Sequence, residues 1–338
     1  MAEKTTLPII DMSHILDKNT PHKAIRKIIE KSFEDIGFAY IKNHGVSHEL
    51  INELFSISKK FFSKEDQEKS EIDMKKSGLS WRGYFPLGGE LTSGIPDQKE
   101  GIYFGENHDS KHPGVINNWP FHGENIWPQG DEFDRFPTIV SQYLQELTEL
   151  GHNLMEAFAI SLDLPRNYFR ERFNSPTILF RIFNYPRHSW SETENQWGVR
   201  EHTDMGFLTI LKQDNSGGLQ AKLKSGQWID VPPIADTFVI NIGDMLEYWT
   251  HGIYRATPHR VKNQGDGDRL SLPFFFDPSW TSTLEPIDKK HLGDRHSNSY
   301  EKRWDGLKIM ELSSEQSYGD FVWGKVKQVF PNLPKKSD

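Results

Sequence analysis

A histidine and an aspartate, His202 and Asp204, stand two residues apart in the segment EHTDMGFLTIL. The run is rich in β-branched and apolar residues and reads as a strand. On a strand, residues i and i+2 point to the same face, so both side chains would enter one pocket without a bend. A histidine from a neighbouring strand would complete a metal site, and His259 in ATPHRV is the best-placed candidate. Two imidazoles and one carboxylate suit a ferrous ion and leave three adjacent coordination positions open. Zinc is the competing metal. The chain has no cysteine and no His-Glu-x-x-His segment, so the usual zinc patterns are missing. With 14 histidines and 48 acidic residues, His-x-Asp pairs also arise by chance, and this one needs support from other residues.

Support comes from RLSLPFFF, where Arg269 and Ser271 repeat the same spacing. Both would face one side of a strand. A guanidinium fork with a hydroxyl beside it makes a carboxylate clamp, because the arginine can bind both oxygens at once. Its closeness in sequence to His259 links the clamp to the metal site.

Elements that could position these residues can be read along the chain. Residues 7–10 (LPII) read as a short strand. Thr20-Pro21 opens a helix with apolar residues Ile25, Ile28, Ile29, Phe33 and Ile36 at helical spacing, ended by Gly37. GFAYIKNHG reads as a strand entering a turn, and Ser47 as the cap of a second helix. Residues 76–135 have no sustained period and read as ordered loops and short strands, a composition common in lids and substrate-facing regions. A long helix is predicted from Pro137 to about Leu162. After Pro176, ILFRIFNY, EHTDMGFLTIL, GGLQAKL, QWIDV, TFVINI, HRV and RLSLPFFF form a series of short strands, which predicts a sandwich, jelly roll or barrel. The tail beyond about 300 reads as helical. No linker separates the halves. The expectation is an N-terminal helical and β region, 1–135, packed on a core of 136–338 that carries a spine helix and a C-terminal tail, in one integrated unit.

Composition narrows the function classes. The chain has 338 residues and a net charge of −8, with scattered basic residues. Nucleic acid and anionic membranes call for a basic stripe, so neither is expected as a partner. No apolar run approaches the roughly 20 residues that span a bilayer, and the N-terminus lacks the layout of a secretory signal. The absence of cysteine removes disulfides, Fe–S clusters and thiol nucleophiles together. A soluble, cytoplasmic protein is the simplest expectation. Oligomeric state is not legible.

Several segments, in order, resemble the iron(II)/2-oxoglutarate-dependent dioxygenases of the isopenicillin N synthase-like family. They are LPIIDMS, GFAYIKNHGV, FNYP (183–186), HTDMGFLTILKQD (202–214), GGLQ (217–220), FVINIGDMLEYWTHGIYRATPHRV (238–261) and RLSLPFFFDP (269–278). The resemblance implies an α+β fold with a double-stranded β-helix, or jelly-roll, core flanked by helices. It implies His202, Asp204 and His259 as Fe(II) ligands. It places Arg269 and Ser271, assisted by Tyr185, on the distal carboxylate of 2-oxoglutarate, with O2 as the second co-substrate. Phe275 matches a position that lines the substrate pocket, and Arg82 and Tyr84 are candidates to reach substrate. Asn43, His44 and Gly45 match a structural hallmark, and Asn241, Gly243 and Asp244 a turn between core strands. The implied reaction oxidises a C–H bond by hydroxylation, desaturation or ring closure, with release of succinate and CO2. One departure is RHSWSETENQWG (187–198), which replaces a Tyr/Pro/Cys-rich segment of plant members, so substrate preference does not transfer.

Two rival readings remain at this point. One is a same-family oxidase that does without 2-oxoglutarate, or a variant that forms ethylene from it. The other is a non-catalytic jelly-roll binding protein, which would have no need of a metal with open positions.

Overall fold

The computed structural model describes residues 6–33, 35–187, 196–262, 265–295 and 315–329. In chain order the strands are β1 (Ile9–Asp11), β2 (Phe38–Lys42), β3 (Gly83–Phe85), β4 (Leu91–Thr92), β5 (Ile95–Pro96), β6 (Glu100–Phe104) and β7 (Pro176–Tyr185). There follow β8 (Val199–His202), β9 (Leu208–Gln213), β10 (Leu219–Lys222), β11 (Trp228–Asp230), β12 (Phe238–Ile242), β13 (His259–Val261) and β14 (Arg269–Ser279).

Eight strands form an open sheet in the order β1-β2-β12-β9-β14-β7-β6-β3, and four form a second sheet, β11-β10-β13-β8. Side chains of β7, β9 and β14 from the first, and of β8, β10 and β13 from the second, border one cavity. The two sheets therefore face each other across it, as a jelly-roll core. Four of the eight strands in the large sheet, β1, β2, β3 and β6, come from the first 135 residues.

The outer face of the large sheet is covered by the helix Phe136–Ser161, which starts with Pro137 in its first turn, where a missing N–H costs nothing. Gly151 faces the sheet from this helix. A Cβ there would lie 2.7 Å from the ring of Phe276, so the helix sits closer than any larger residue would allow. Phe276 is fully buried beneath it, which is worth about 1.5–3 kcal/mol for a side chain of this size. Strands β7 and β14, covered on one face and bordering the cavity on the other, accordingly read as near-continuous apolar runs rather than alternating ones. Helices His22–Phe33 and His48–Phe62 pack on the long helix, the second capped by Ser47, whose hydroxyl accepts from Leu50 N.

Two expectations need correction. EHTDMGFLTIL is not one strand: β8 ends at His202, and β9 begins at Leu208 after a turn. Gly243 and Asp244 do not make a turn between strands. They start the helix Asp244–Trp249. Its first N–H groups need acceptors outside the helix, and the 204–207 turn provides them: Asp244 N donates to Asp204 O (2.8 Å), Met245 N to Gly206 O (3.0 Å) and Gly243 N to Phe207 O (3.0 Å). Gly243 has to be glycine here, because a Cβ would collide with Gly206 O.

The expected helical tail is seen as Tyr318–Val329, and Val322 and Val326 on it border the cavity. Most of RHSWSETENQWG, residues 188–195, lies outside the described residues, as do 296–314 of the tail. No helix among the described residues is long and apolar enough to cross a membrane.

Candidate metal centre and its cavity

Strands β8 and β13 pair antiparallel, and His202 and His259 are direct cross-strand partners. Opposed residues on an antiparallel pair hold their side chains on one face within about 5.5 Å, and the two imidazole centroids lie 4.2 Å apart. Pairing register, rather than sequence spacing, brings the second histidine to the first.

Asp204 reaches the same point from the turn after β8. His202 Nε2 lies 3.7 Å and His259 Nε2 3.6 Å from Asp204 Oδ1. Ligand atoms of all three residues fall within 4.8 Å of one another, a spacing that can hold a metal ion.

The groups behind these atoms fix how they present themselves. His202 Nδ1 lies 2.7 Å from Arg200 O, and His259 Nδ1 3.1 Å from Thr257 O. A carbonyl can only accept, so each Nδ1 carries a proton and each Nε2 is turned toward the centre. Burial, and then the neighbouring His202, holds the His259 imidazole down at about 4, so it is neutral at pH 7. Asp204 is also buried, which alone would push its carboxyl up. The two facing imidazoles, with hydrogen bonds from Thr209 and Asn241, outweigh burial and keep it below the usual carboxylate range. Thr209 Oγ1 (2.5 Å) and Asn241 Nδ2 (2.7 Å) both donate to Asp204 Oδ2, leaving Oδ1 for the centre.

The cavity beside this centre holds about 290 Å³. Arg269, Ser271, Pro273, Phe275 and Asp277 line it from alternate positions of β14, and Leu179, Arg181, Phe183 and Tyr185 from β7. Arg269 and Tyr185 are cross-strand partners, with the guanidinium 4.7 Å from the tyrosine ring centre. Arg269 is 1% exposed. Its Nε donates to Gly217 O (2.5 Å) and its Nη2 to Gln213 Oε1 (3.4 Å), while Nη1 is buried with no partner.

Of the residues singled out from sequence, His202, Asp204, His259, Arg269, Ser271, Tyr185 and Phe275 thus border one cavity. Arg82 and Tyr84 do not. Arg82 is buried and donates to Phe121 O (2.6 Å) and Phe104 O (3.4 Å). Tyr84 donates to Glu100 (2.6 Å) and packs on Phe61, on the helix-covered side of the sheet. Strand alternation sends it away from the cavity, and it is Trp81 that borders the space. Sequence reasoning missed Thr209 and Arg181, and it placed Asn241 in a turn, whereas Asn241 lies inside β12 and donates to Asp204. Arg181 shares a strand face with Tyr185, four residues on, and that spacing was the available signal.

Comparison with known proteins agrees with this geometry. Residues 7–130 match the family described as non-haem dioxygenase in morphine synthesis N-terminal, and 174–278 match the 2OG-Fe(II) oxygenase superfamily. A probable iron/ascorbate oxidoreductase of Dictyostelium discoideum is 45% identical, covering 97% of this chain and 95% of that protein. A 1-aminocyclopropane-1-carboxylate oxidase of the same organism is 36% identical, over 98% and 96%. A full-length Neurospora crassa protein, crystallised with alpha-KG (2-oxoglutarate) and thymine, superimposes with a TM-score of 0.74 at 27% identity, over 92% of this chain and 97% of that one. A jelly roll carrying a His-Asp-His centre, with relatives of this kind along nearly its whole length, makes the chain a member of the 2OG-Fe(II) oxygenase superfamily, oxidoreductases that use iron, 2-oxoglutarate and O2.

Proposed function

We propose that His202, Asp204 and His259 hold the Fe(II), and that Arg269, Ser271 and Tyr185 hold the distal carboxylate of 2-oxoglutarate. The observation that carries the reading is the convergence of two Nε2 atoms on Asp204 Oδ1, each donor locked from behind. The donor set, two imidazoles and one carboxylate, fits ferrous iron. The unpartnered Nη1 of Arg269 fits an incoming carboxylate, because a buried guanidinium N–H left unpaired is costly and an anion there relieves it.

Bound iron supplies the activation of O2 and the oxidation of a C–H bond, coupled to conversion of 2-oxoglutarate to succinate and CO2. The chain's own share is positional. Thr209 and Asn241 keep Oδ2 of Asp204 occupied, so that a single oxygen faces the metal. Arg269 and Ser271 fix the far end of the co-substrate, and the Tyr185 ring closes the face of the guanidinium. Phe275, Leu179, Val322 and Val326 exclude water from the space beside them. The substrate is a small organic molecule, in keeping with the apolar, aromatic lining beside the centre. Its C–H bond is hydroxylated, desaturated or closed into a ring. Regions 1–135 and 136–338 work as one unit in this reading, since strands from both share the large sheet.

The relative named 1-aminocyclopropane-1-carboxylate oxidase favours the second reading, in which this chain uses the three ligands and the Arg-x-Ser pair without consuming 2-oxoglutarate. Iron-dependent O2 uptake and succinate are measured together. One succinate per substrate oxidised is the expected result. Oxidation of substrate without succinate would replace the proposal by the second reading.

A further inference from the structure

One wall of the cavity carries charge that neither the metal nor the co-substrate clamp uses. Arg181, Phe183 and Tyr185 share a face of β7 and all border the cavity. In the register set by the Ser271–Phe183 and Phe274–Phe180 pairs, Arg181 falls opposite Pro273. Pro273 lies between Ser271, at the clamp, and Phe275, whose partner Thr209 holds Asp204. Arg181 therefore stands beside the span from clamp to metal, one strand to the side.

Its neighbours leave it without an ion pair among the described residues. Lys99 takes two nearby carboxylates, Asp97 at 2.5 Å and Glu90 at 2.9 Å, and Tyr103 also donates to Glu90 (2.8 Å), while Glu90 and Asp277 act on Arg181 only through space. Among the described residues no carboxylate comes within ion-pair distance of Arg181, and its Nη1 is buried without a hydrogen-bond partner. Aromatic rings take the faces of the guanidinium instead: Tyr103 at 3.5 Å, Trp81 at 5.5 Å and Phe275 at 5.7 Å from its centre. Tyr103 also shares a hydrogen bond with the guanidinium, but none of these rings supplies the anion that its N–H edge can bind, and Nη1 stays unpaired. The side chain is 6% exposed, so solvent does little to satisfy that edge.

We infer that Arg181 receives a carboxylate of the prime substrate, which makes that substrate a small organic acid whose apolar part lies among Trp81, Leu91, Phe275 and Val322. This rests on the reading of Arg269 and Ser271 as the clamp for 2-oxoglutarate.

The test uses the full chain loaded with Mn(II), which stops turnover, and saturating 2-oxoglutarate. Thermal melts are recorded with a panel of small aliphatic and aromatic carboxylic acids, each paired with its primary amide. At least one acid raises the melting temperature of the wild type and its amide does not. Arg181→Met weakens that acid's affinity roughly 30-fold or more, the cost of truncating one partner of a buried charge pair. Arg181→Lys, which keeps the charge and guards against misfolding of the first variant, weakens it less. Both variants keep the full stabilisation by 2-oxoglutarate. The inference is overturned if no acid stabilises the wild type, if acids and amides act alike, or if Arg181→Met keeps the acid response. It is equally overturned if that variant loses its response to 2-oxoglutarate, since Arg181 would then serve the co-substrate. Absence of any 2-oxoglutarate response in the wild type would instead bring down the clamp reading beneath it.

Discussion

At the metal-facing end of the cavity, polar atoms that do not point inward already have partners. The imidazole Nδ1 atoms are spent on Arg200 O and Thr257 O, and Oδ2 of Asp204 on Thr209 and Asn241. The opposite wall is built differently. Arg269 and Arg181 each keep a buried nitrogen without a partner, and their guanidinium faces lie against aromatic rings. The first end is complete before anything binds, apart from one ion. The second keeps buried guanidinium nitrogens unpaired and, in the proposed reading, receives organic anions. Substitutions at the two ends should therefore fail in different ways.

The largest effect is expected from Asp204→Ala, which removes the sole anionic ligand of the proposed centre. Turnover should be abolished even with excess iron, and full activity at stoichiometric iron would break the assignment. Arg269→Ala should leave iron binding intact and raise the KM for 2-oxoglutarate roughly 30-fold or more, with a smaller change in kcat. An unchanged KM would erase the contrast between the ends. Asn241→Ala touches no ligand position directly and should lower iron affinity by about 10–100-fold, measured by equilibrium titration, while the KM for 2-oxoglutarate measured at saturating iron stays put.

The smallest effect concerns pH. Asp277 is buried at 2% exposure and accepts from Phe207 N (2.7 Å), and burial pushes its carboxyl up to about 7. A raised carboxyl favours the protonated folded state. Its contribution is therefore complete below the unfolded value near 4 and is lost as pH rises through 7. Metal-free wild type should lose stability relative to Asp277→Asn as pH rises from about 4 to 7, read from paired denaturation curves. Parallel curves would place the charge cost elsewhere.

The same contrast explains what can be read from the sequence. His202, Asp204, His259, Arg269 and Ser271 are legible because alternation along a strand is a local rule. Even so, spacing does not reveal the route to Asp204. A turn and a continued strand both carry residue i+2 into the pocket, so the two cannot be told apart. Gly243 and Asp244 escape for a related reason. Their acceptors lie in the 204–207 turn, far off in sequence, and no periodicity reports such a contact. The addition of β1, β2, β3 and β6 to the large sheet is equally hidden, because non-local strand pairing leaves little trace in composition. Arg82 and Tyr84 look able to reach substrate until strand alternation turns Tyr84 away, while Arg181 on the neighbouring strand goes unnoticed.

The rear anchoring of both imidazoles has a practical consequence. A donor cage assembled ahead of its cargo discriminates poorly among divalent ions. By the Irving–Williams order, nickel, copper and zinc should outcompete ferrous iron for this site. Protein purified over immobilised nickel is thus expected to emerge partly poisoned, and stripping with a chelator before anaerobic reloading becomes a condition for measuring the full rate.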